Sequence, residues 1–421
     1  MKIAIIGAGV IGVTTAYELT RDGHDVSVFD RHGTAGEGAS FANGSLLVPG
    51  WPSSLGAQAR WRSLLAPGGS QPGALHLGTW PGPGTWGWLW RRQRALGTPD
   101  HPARQAALFQ LARYSQQRLA SITDEHQLRY DSSQGVMLLW RHERDATQAG
   151  AALAALRGWG AVAREVDAAQ ARQIEPALNP ETRLHGALEL PAAQSANTRQ
   201  FTLLLKNLAQ ERGCRFEFGR CVVQLRVEGQ GVQIVREGSV DAQAFDHAVV
   251  CAGAASAALL RPLGLQLPLQ QVYGHSVSAA IREPLDAPLS AVIDARHQVS
   301  ITRLGQRVRV AGGQSLGGSP IQHSKNELRR LYRVLMDWFP GAARLGDPKG
   351  SVQEWRGAQA YLPDGSPMVG ASPVQRIWLN LGHGSSGWSM ACGSARALAD
   401  QLQGRNPVLD LALFSPARWL R

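Results

Sequence analysis

Three glycines near the N-terminus, Gly7, Gly9 and Gly12, have the G-x-G-x-x-G spacing that can hold the pyrophosphate of a dinucleotide. Glycine at these positions permits a tight turn, a close approach of the backbone to the phosphates, and close packing of the next helix on the sheet. Asp30 follows near the separation of about 20 residues at which a carboxylate accepts hydrogen bonds from ribose hydroxyls. The pattern predicts a bound dinucleotide, although a glycine-rich turn without a ligand is the alternative.

The segments around these glycines are those that a dinucleotide site requires. The apolar run 3–6 predicts a buried strand, the stretch from Val10 to Gly23 a helix, and 26–29 a second strand that ends at Asp30. Phosphates bound at the turn would lie at the N-terminus of the helix, where free N–H groups and the helix dipole favour negative charge. This motif alone permits NAD as well as FAD.

Three further segments could meet the same ligand. The loop 40–45 contains glycine and small polar residues, which can bring backbone amides close to a flat ligand, although it could also be a plain connection. A strand at 245–251 runs into Gly253 and a helix, and in a doubly wound sheet this is a second point where a strand end meets the cofactor. The glycine-rich turn 382–387 precedes a helix predicted at 388–403 and suits an electron-rich ligand.

The composition describes a large globular protein with an excess of positive charge. The chain has 421 residues, with 43 Lys and Arg against 32 Asp and Glu, and its formal net charge is +11. This length predicts two domains, or one domain with a large insertion, and the charge favours anionic partners such as nucleic acid, acidic lipid or a phosphorylated cofactor. The four scattered cysteines predict reduced thiols in a cytoplasmic protein, and no histidine spacing predicts a metal site.

A tract between residues 51 and 100 is rich in tryptophan and arginine. It contains Trp51, Trp61, Trp80, Trp86, Trp88 and Trp90, and Arg60, Arg62, Arg91, Arg92 and Arg94. The tract could lie on a membrane surface, where tryptophan prefers the interface and arginine pairs with lipid phosphate. The simpler alternative is a tryptophan-lined helix packed within a second domain. Because no segment is long and apolar enough to span a bilayer, we expect any attachment to be peripheral, on the inner face of the inner membrane.

The remainder of the chain alternates helices with strands. Apolar spacing predicts helices at 103–126, 146–159, 198–212 and 324–339. Strands are expected at 135–140, 186–191, 215–218, 222–227, 231–236, 269–280, 291–293, 299–303, 308–312, 351–355 and 377–381. The strands between 269 and 355 lack βαβ spacing and therefore predict a separate antiparallel sheet.

Taken together, these segments resemble the FAD-dependent D-amino-acid oxidase and glycine oxidase family, to which the bacterial D-amino-acid dehydrogenases belong. The resemblance covers nearly the whole chain. It rests on Gly7-x-Gly9-x-x-Gly12 with Asp30-Arg31, on Ser40-x-x-Asn43 before Pro49-Gly50, on Ile301-Thr302-Arg303 and on Pro363-Asp364-Gly365. The most specific part is Leu379-Asn380-Leu381-Gly382-His383-Gly384-x-x-Gly387-Trp388-x-Met390-Ala391-Cys392-Gly393, which favours FAD over NAD.

This resemblance implies an α/β fold with a Rossmann-like FAD-binding domain of the glutathione-reductase type and a discontinuous second domain built on an antiparallel sheet. The FAD-binding domain would comprise 1–50, 180–265 and 350–421, and the substrate-binding domain 51–179 and 266–349. The residues implied to bind the cofactor are Gly7, Gly9, Val10, Ile11, Gly12, Asp30 and Arg31 at the ADP half, Ser40, Asn43 and Gly44 at the flavin end, Val222 and Gly253 through their backbone, and Gly382, His383, Gly384, Gly387 and Trp388 in the C-terminal turn.

The resemblance also implies a reaction. In such enzymes hydride passes from the substrate Cα to flavin N5, so no strong side-chain base is required if the amine arrives neutral. The helix after Gly387 could stabilise the negative charge of the reduced flavin, and His383 is expected to be a hydrogen-bonding turn residue. We expect oxidative deamination of a D-amino acid or cyclic imino acid, with a quinone or another electron acceptor. The alternatives are oxidation of a glycine-like or sarcosine-like secondary amine, or of an amine on a modified tRNA base, although nucleic acid is the less expected partner.

One position departs from the family pattern. Where the family has an arginine that clamps the substrate carboxylate, the resemblance places Gln359, which supplies neither the charge nor the forked geometry. Arg303 could supply the missing cation, or it could be a surface arginine at a strand end. Tyr273 and His275 flank a glycine where the dehydrogenase pattern has lysine and tyrosine, so they are predicted either to face the substrate or to pack within the sheet.

Overall fold

The computed structural model describes residues 1–50, 75–78, 82–238, 242–317, 324–346 and 352–420. The strands are β1 Lys2–Ile6, β2 Asp25–Asp30, β3 Leu46–Leu47, β4 His76–Leu77, β5 Ser132–Trp140, β6 Arg164–Asp167, β7 Gly186–Ala196, β8 Arg215–Phe218, β9 Val222–Glu228, β10 Gly231–Arg236, β11 Gln243–Phe245, β12 His247–Val250, β13 Gln270–Ala280, β14 Ala291–Asp294, β15 Val299–Leu304, β16 Arg307–Leu316, β17 Gln353–Tyr361, β18 Met368–Ala371 and β19 Ile377–Leu381.

The helices in the described ranges are α1 Val10–Arg21, α2 Pro83–Leu96, α3 His101–Glu125, α4 Glu143–Gly158, α5 Ala168–Ile174, α6 Thr198–Glu211, α7 Ser256–Leu260, α8 Lys325–Trp338 and α9 Gly387–Leu402. Short 3-10 turns include Gly253–Ala255 and Gly384–Ser386. The helices predicted from apolar spacing are confirmed to within three residues at each end. Trp51, Trp61, Trp80, Arg60, Arg62 and the first residue of the strand predicted at 351–355 lie outside the described residues.

Six short strands form the first sheet, in the order β18-β19-β12-β1-β2-β8. They pair in parallel except for β18, which is antiparallel to β19. Residues 3–5 at the centre of β1 are fully buried, because helices cover one face of this sheet and a second sheet covers the other. A strand buried on both faces has an apolar sequence without alternation, as observed for 3–6. The α/β fold class predicted from the sequence is confirmed.

The two faces of this sheet are covered differently. The face that carries Ile3 and Val28 packs in one cluster with α1, α3, α6 and α9. The face that carries Ala4 and Ile6 packs on the three-stranded antiparallel sheet β9–β11. The first sheet therefore forms the middle of three layers, and the carboxyl ends of its parallel strands are left free to form a site.

A buried carboxylate joins three of the helices. Glu18 of α1 is fully buried and accepts hydrogen bonds from Arg118 of α3 and Arg396 of α9. Arg396 also pairs with Asp22 and Asp400. Since an unpaired charge is costly in a protein interior, these contacts fix α9 relative to α1.

The second large sheet has the order β17-β13-β16-β15-β14-β5-β7-β3, with β4 beside β16 and β6 beside β7. It is antiparallel apart from the pairs β5–β14 and β4–β16, so the predicted antiparallel sheet is confirmed. β17 extends to Tyr361 and pairs with β13, although the predicted domain boundary at 350 assigns it to the cofactor-binding part. The division of the chain into domains stays a prediction.

The large sheet has an apolar face and a polar face. Val277, Ile301 and Val310 belong to the core cluster that packs on α8. Ser276 and Ser300 lie opposite Ala311 in the ladder and therefore on its other face. There, Ser276 Oγ donates to the carbonyl oxygen of Ala42 at 2.6 Å. The polar face is thus held against the loop that begins at residue 40.

The described part of the tryptophan-rich tract contains β4 and α2. Trp88 is buried and packs with Val272, Leu316 and Tyr361, as the packed-helix interpretation predicts. Trp90, however, is 60% exposed, and the Arg94 guanidinium lies 4.9 Å from the centre of its ring. In the described ranges, no helix combines the length and apolar character needed to cross a bilayer.

Candidate active site

The turn between β1 and α1 has the geometry that a pyrophosphate site requires. Gly7 has a φ of +108°, which residues with a side chain rarely adopt, and its N–H donates to the Phe29 carbonyl at 2.8 Å. A Cβ on Gly12 would lie 1.8 Å from the Gly7 carbonyl oxygen, so α1 can approach β1 this closely only with glycine. A Cβ on Gly9 would contact only Ser40 Oγ, at 3.4 Å, which leaves room beside the turn.

Asp30 is held beside this turn at the end of β2. Its Oδ2 accepts from the Ala8 N–H at 2.7 Å, and its Oδ1 accepts from the His32 N–H at 2.9 Å. Ser40 Oγ accepts from the Val10 N–H at 3.0 Å, in the first turn of α1. These bonds bring the glycine turn, a carboxylate suited to ribose hydroxyls and the loop after residue 40 to one edge of the sheet.

The other residues predicted at the ADP half surround this edge. Ile11 is half-buried in α1 and Arg31 is exposed directly after β2. Val222 is half-buried at the start of β9, and Gly253, with a φ of +53°, follows β12. Their contacts with a cofactor stay predictions.

The C-terminal turn packs directly against the end of β17. Gly382 and Gly384 have φ values of +80° and +59°, and a Cβ on Gly384 would lie 2.5 Å from a ring carbon of Tyr361. α9 begins at Gly387, so the N-terminus of this helix is brought to the same place. Free N–H groups and the positive end of the helix dipole therefore face the space next to β17.

A cavity lies between this turn, the loop after residue 40 and the polar face of the large sheet. It brings together five predicted site residues: Asn43, Gly44 and Trp388 from the cofactor set, and His275 and Gln359 from the substrate set. The other lining residues are Ala42, Ser45, Leu46, Val48, Gly274, Ile293, Gln298, Ser300, Ala311, Gly312, Gly313, Gln314, Trp355, Ser385, Ser386 and Ser389.

Two predicted substrate residues are placed away from the lining. The Tyr273 hydroxyl donates to Gln271 Oε1 at 2.9 Å, and the Arg356 guanidinium lies 4.0 Å from the centre of the Tyr273 ring. Arg303 donates to the carbonyl oxygens of Gly305 and Pro284. These contacts match the sheet-packing and strand-end alternatives for Tyr273 and Arg303, and a role in substrate binding stays a prediction for both.

Tyr361 organises one wall of the cavity. Its hydroxyl oxygen accepts from the Ser385 N–H at 2.9 Å and from Gln314 Nε2 at 3.1 Å. The hydroxyl donates to Gln359 Oε1 at 3.2 Å. Burial raises the pKa of Tyr361, so the hydroxyl keeps its proton. Sequence reasoning missed this tyrosine, whose only signal is its position at the end of a strand before Pro363-Asp364-Gly365.

The two predicted site histidines are both engaged in hydrogen bonds. His275 Nδ1 donates to the Gly313 carbonyl at 3.0 Å, and its Nε2 accepts from the Ser324 N–H at 3.4 Å, which defines a neutral tautomer. His383 bonds Ser394 Oγ through Nε2 at 3.1 Å, and burial lowers the pKa of His383 to about 3. Neither ring is placed as a free general base.

Arg309 is a second residue that sequence reasoning missed. It is buried on the polar face of the large sheet, opposite Thr302 in the ladder, and its Nη1 donates to Ser45 Oγ at 3.0 Å. Its Nε has no hydrogen-bond partner in the part of the chain that the structure describes. Burial lowers the pKa of Arg309 to about 10, so it is charged at neutral pH. A buried cation therefore lies behind the loop that lines the cavity.

The sequence matches a family model of FAD-dependent oxidoreductases over residues 2–401. The chain belongs to this FAD-dependent oxidoreductase family. It is similar along its whole length to proteins named D-amino acid dehydrogenase: 33% identity with that of Methylobacterium sp. (strain 4-46), covering 100% of both chains, and 35% with that of Cereibacter sphaeroides (strain ATCC 17029 / ATH 2.4.9), covering 100% of this chain and 96% of the relative.

Solved structures of the same fold cover the whole chain. Glycine oxidase from Geobacillus kaustophilus superimposes with a TM-score of 0.77 at 21% identity, over 100% of this chain and 99% of that structure. L-proline dehydrogenase from P. horikoshii superimposes with a TM-score of 0.73 at 16% identity, over 100% of this chain and 99% of that structure. The predicted family, Rossmann-like FAD-binding fold and FAD cofactor are thereby confirmed.

The site residues of this FAD-dependent oxidoreductase fit the cofactor. The glycine turn leaves space for a pyrophosphate, and Asp30 lies where a ribose would follow. At the other end, Trp388 Nε1 is buried beside the cavity and has no hydrogen-bond partner among the described residues. Because buried polar groups are normally paired, this atom indicates that the cavity is completed by a polar ligand.

Replacing Gly12 by alanine should weaken FAD binding. The added Cβ overlaps the Gly7 carbonyl oxygen, so α1 must move away from the phosphate position, and we expect at least about tenfold weaker FAD affinity. The visible absorbance of the purified variant, relative to its protein absorbance, measures the flavin content. Gly33→Ala is the matched control, because a Cβ there meets no described atom within 4 Å. Equal flavin content in both variants would contradict the role of Gly12.

His383 should make the folded protein sensitive to mild acid. The unfolded chain binds a proton near the usual pKa of 6.5, whereas folded His383 does so only near 3, so stability is complete above pH 6.5 and falls as the pH is lowered toward 3. This contribution amounts to about 2 kcal/mol lost at pH 5 relative to pH 7. Urea unfolding at the two pH values should show a smaller loss in His383→Gln. An identical loss in the variant would exclude His383 as its source.

Proposed function

We propose that the protein is an FAD-dependent dehydrogenase that oxidises the Cα–N bond of a D-amino acid or cyclic imino acid. FAD held at this site would supply the hydride acceptor for the hydrogen on Cα, and the imine product would react with water to give an oxo acid and an amine or ammonia. The observation that carries this proposal is that one cavity is lined by Asn43 and Trp388 from the predicted cofactor set and by Gln359 from the predicted substrate set. The names of the full-length relatives support the same substrate class.

The side chains around the cavity bind and orient rather than transfer protons. The described lining contains no Asp, Glu, Lys or Arg, and its one histidine, His275, is fixed as a neutral donor and acceptor. The amine must therefore arrive neutral and release its proton to water. The N-terminus of α9 and the buried Arg309 supply positive potential for the negative charge that reduction brings.

A secondary amine and an amine on tRNA remain the alternative substrates. Like a D-amino acid, a secondary amine would have to enter this cavity in its neutral form. The net charge of +11 is the one feature that suits tRNA, and binding that weakens steeply with salt is its signature.

Gln359→Arg should improve the oxidation of simple D-amino acids. The side chain lines the cavity and is uncharged, and an arginine there would offer a charged, forked donor to a carboxylate. One charged hydrogen bond is worth about 1.5–3 kcal/mol, so we expect kcat/KM for D-alanine to rise about tenfold or more with an artificial electron acceptor. Gln359→Lys, which adds charge without the fork, should gain less. An unchanged kcat/KM in both variants would exclude this position from carboxylate recognition.

We further propose that electrons pass to a quinone or another acceptor and that α2 contacts the membrane surface. Trp90 is exposed with Arg94 against its ring, and Arg91 beside it is also exposed. Exposed tryptophan and arginine together suit the interface of an anionic bilayer. A surface of this kind would bring a lipid-soluble acceptor close to the cavity wall that Trp88 supports.

Trp90→Ala should weaken binding to anionic vesicles several-fold without unfolding the protein. Its side chain is largely exposed, so the change in the free energy of unfolding should stay within about 0.5 kcal/mol. Trp88→Ala is the contrasting variant, since loss of a buried tryptophan costs about 3–5 kcal/mol. Co-sedimentation with vesicles and urea unfolding measure the two effects. Unchanged co-sedimentation of Trp90→Ala would exclude α2 as the contact.

A further inference from the structure

The hydroxyl of Tyr361 dictates the orientation of two glutamine side chains in the cavity wall. A phenolic hydroxyl has one proton to donate and accepts hydrogen bonds at its oxygen lone pairs. The Ser385 N–H occupies one acceptor position at 2.9 Å, and Gln314 and Gln359 both lie within hydrogen-bond distance. With only one proton available, one glutamine must accept from the hydroxyl while the other donates to it.

One glutamine amide is therefore left with a free N–H donor and the other with a free carbonyl acceptor. In the structure Gln314 donates through Nε2 and Gln359 accepts through Oε1, so the free groups are Gln359 Nε2 and Gln314 Oε1. If both amides were turned over, the free donor and the free acceptor would exchange places. Either way the wall presents one N–H donor and one carbonyl acceptor. Gln314 Oε1 is buried and has no partner in the described ranges, so a ligand there would supply the donor.

A free carboxylate does not match this pair. Both of its oxygens are acceptors, so one of them would face the unpartnered glutamine carbonyl. The described lining also contains no arginine or lysine that would neutralise it. A carboxamide or lactam is uncharged and has an acceptor oxygen next to an N–H donor. It can therefore satisfy Gln359 Nε2 and Gln314 Oε1 together.

We propose that the substrate carries an uncharged carboxamide or lactam where a D-amino acid carries its carboxylate; D-amino-acid amides are the simplest members of this class. The inference rests on the proposed oxidation of the Cα–N bond. The Cα–H bond breaks as hydride passes to FAD, the amine gives one proton to water, and addition of water to the imine releases ammonia and a 2-oxo amide. The quinone or other electron acceptor then reoxidises FAD.

The first experiment measures binding alone, with the holoenzyme and two ligands that cannot be oxidised. Isobutyramide and isobutyrate have the skeletons of alaninamide and alanine with a methyl group in place of the amine. Titrations followed by the flavin spectrum should give at least about tenfold tighter binding of isobutyramide. Equal or tighter binding of isobutyrate would overturn the inference.

The variants test whether the glutamine pair produces this preference. Gln359→Arg should reverse the order of the two ligands, and Gln359→Leu should remove most of the preference. Gln271→Leu is the control, since Gln271 lies on the neighbouring strand beside Ala360 and outside the cavity lining. The control should keep the wild-type ratio of the two dissociation constants. Loss of the preference in the control alone would place the selectivity elsewhere and overturn the inference.

Anaerobic reduction of the flavin separates this inference from the proposed function. D-alaninamide should bleach the flavin at least about tenfold more efficiently than D-alanine, measured as the rate constant divided by the apparent dissociation constant. If neither compound bleaches a flavin that binds isobutyramide preferentially, the proposed reaction fails while the inference about the ligand stands. If D-alanine is the better reductant, the inference fails and the proposed function stands.

Discussion

The contact between Gly12 and the carbonyl oxygen of Gly7 determines where the rest of the site can lie. With no room for a side chain, α1 starts directly beyond the end of β1, so its free N–H groups lie at the phosphate position. The opposite end of the helix carries Glu18, whose pairing with Arg396 fixes α9. The glycine turn and the N-terminus of α9 are therefore positioned by the same helix, although some 380 residues separate them in the sequence. A change in this one contact would displace both ends of the cofactor site.

The described residues that line the cavity offer polar groups that carry no formal charge. Amides, hydroxyls and one imidazole line it, while a buried cation, Arg309, lies behind the loop and bonds Ser45. Such a wall can select a ligand by the order of its donors and acceptors, and it can do so without a counter-ion. In this family the chemistry belongs to FAD, so the protein contributes binding geometry, potential and exclusion of competing reactions.

The features that could be predicted from the sequence are formed by residues that lie close together along the chain. Gly7, Gly12 and Asp30 belong to one strand–turn–helix–strand unit, so their spacing is enough to place them together. The antiparallel sheet could be recognised because its strands follow one another along the chain. The Tyr361 network could not, because Gln314, Gln359 and Ser385 come from separate segments and meet only after two strands and a turn have packed.

Arg309 could not be predicted from the sequence for a different reason. In the alternating segment 308–312 it occupies a position that would ordinarily face solvent. Ser276 holds the loop after residue 40 over that face, and Arg309 bonds Asn43 and Ser45 of this loop. Arg303, chosen for its charge, lies near the end of β15 and bonds nearby carbonyl oxygens instead. Alternation thus assigns a residue to a face of a sheet, whereas the burial of that face depends on distant segments.

The hydrogen bonds of the cavity wall also bear on how the reaction would respond to pH. Burial raises the pKa of Tyr361, so its hydroxyl keeps its proton, and His275 bonds the Gly313 carbonyl and the Ser324 N–H. The fraction of substrate in the reactive, neutral form then depends on the pKa of the substrate amine itself. An amine loses its proton more readily beside a neutral carbonyl group than beside a negative carboxylate, because the neighbouring charge that stabilises the ammonium form is absent. A lower pH would accordingly slow the reaction, because more of the substrate amine would be protonated.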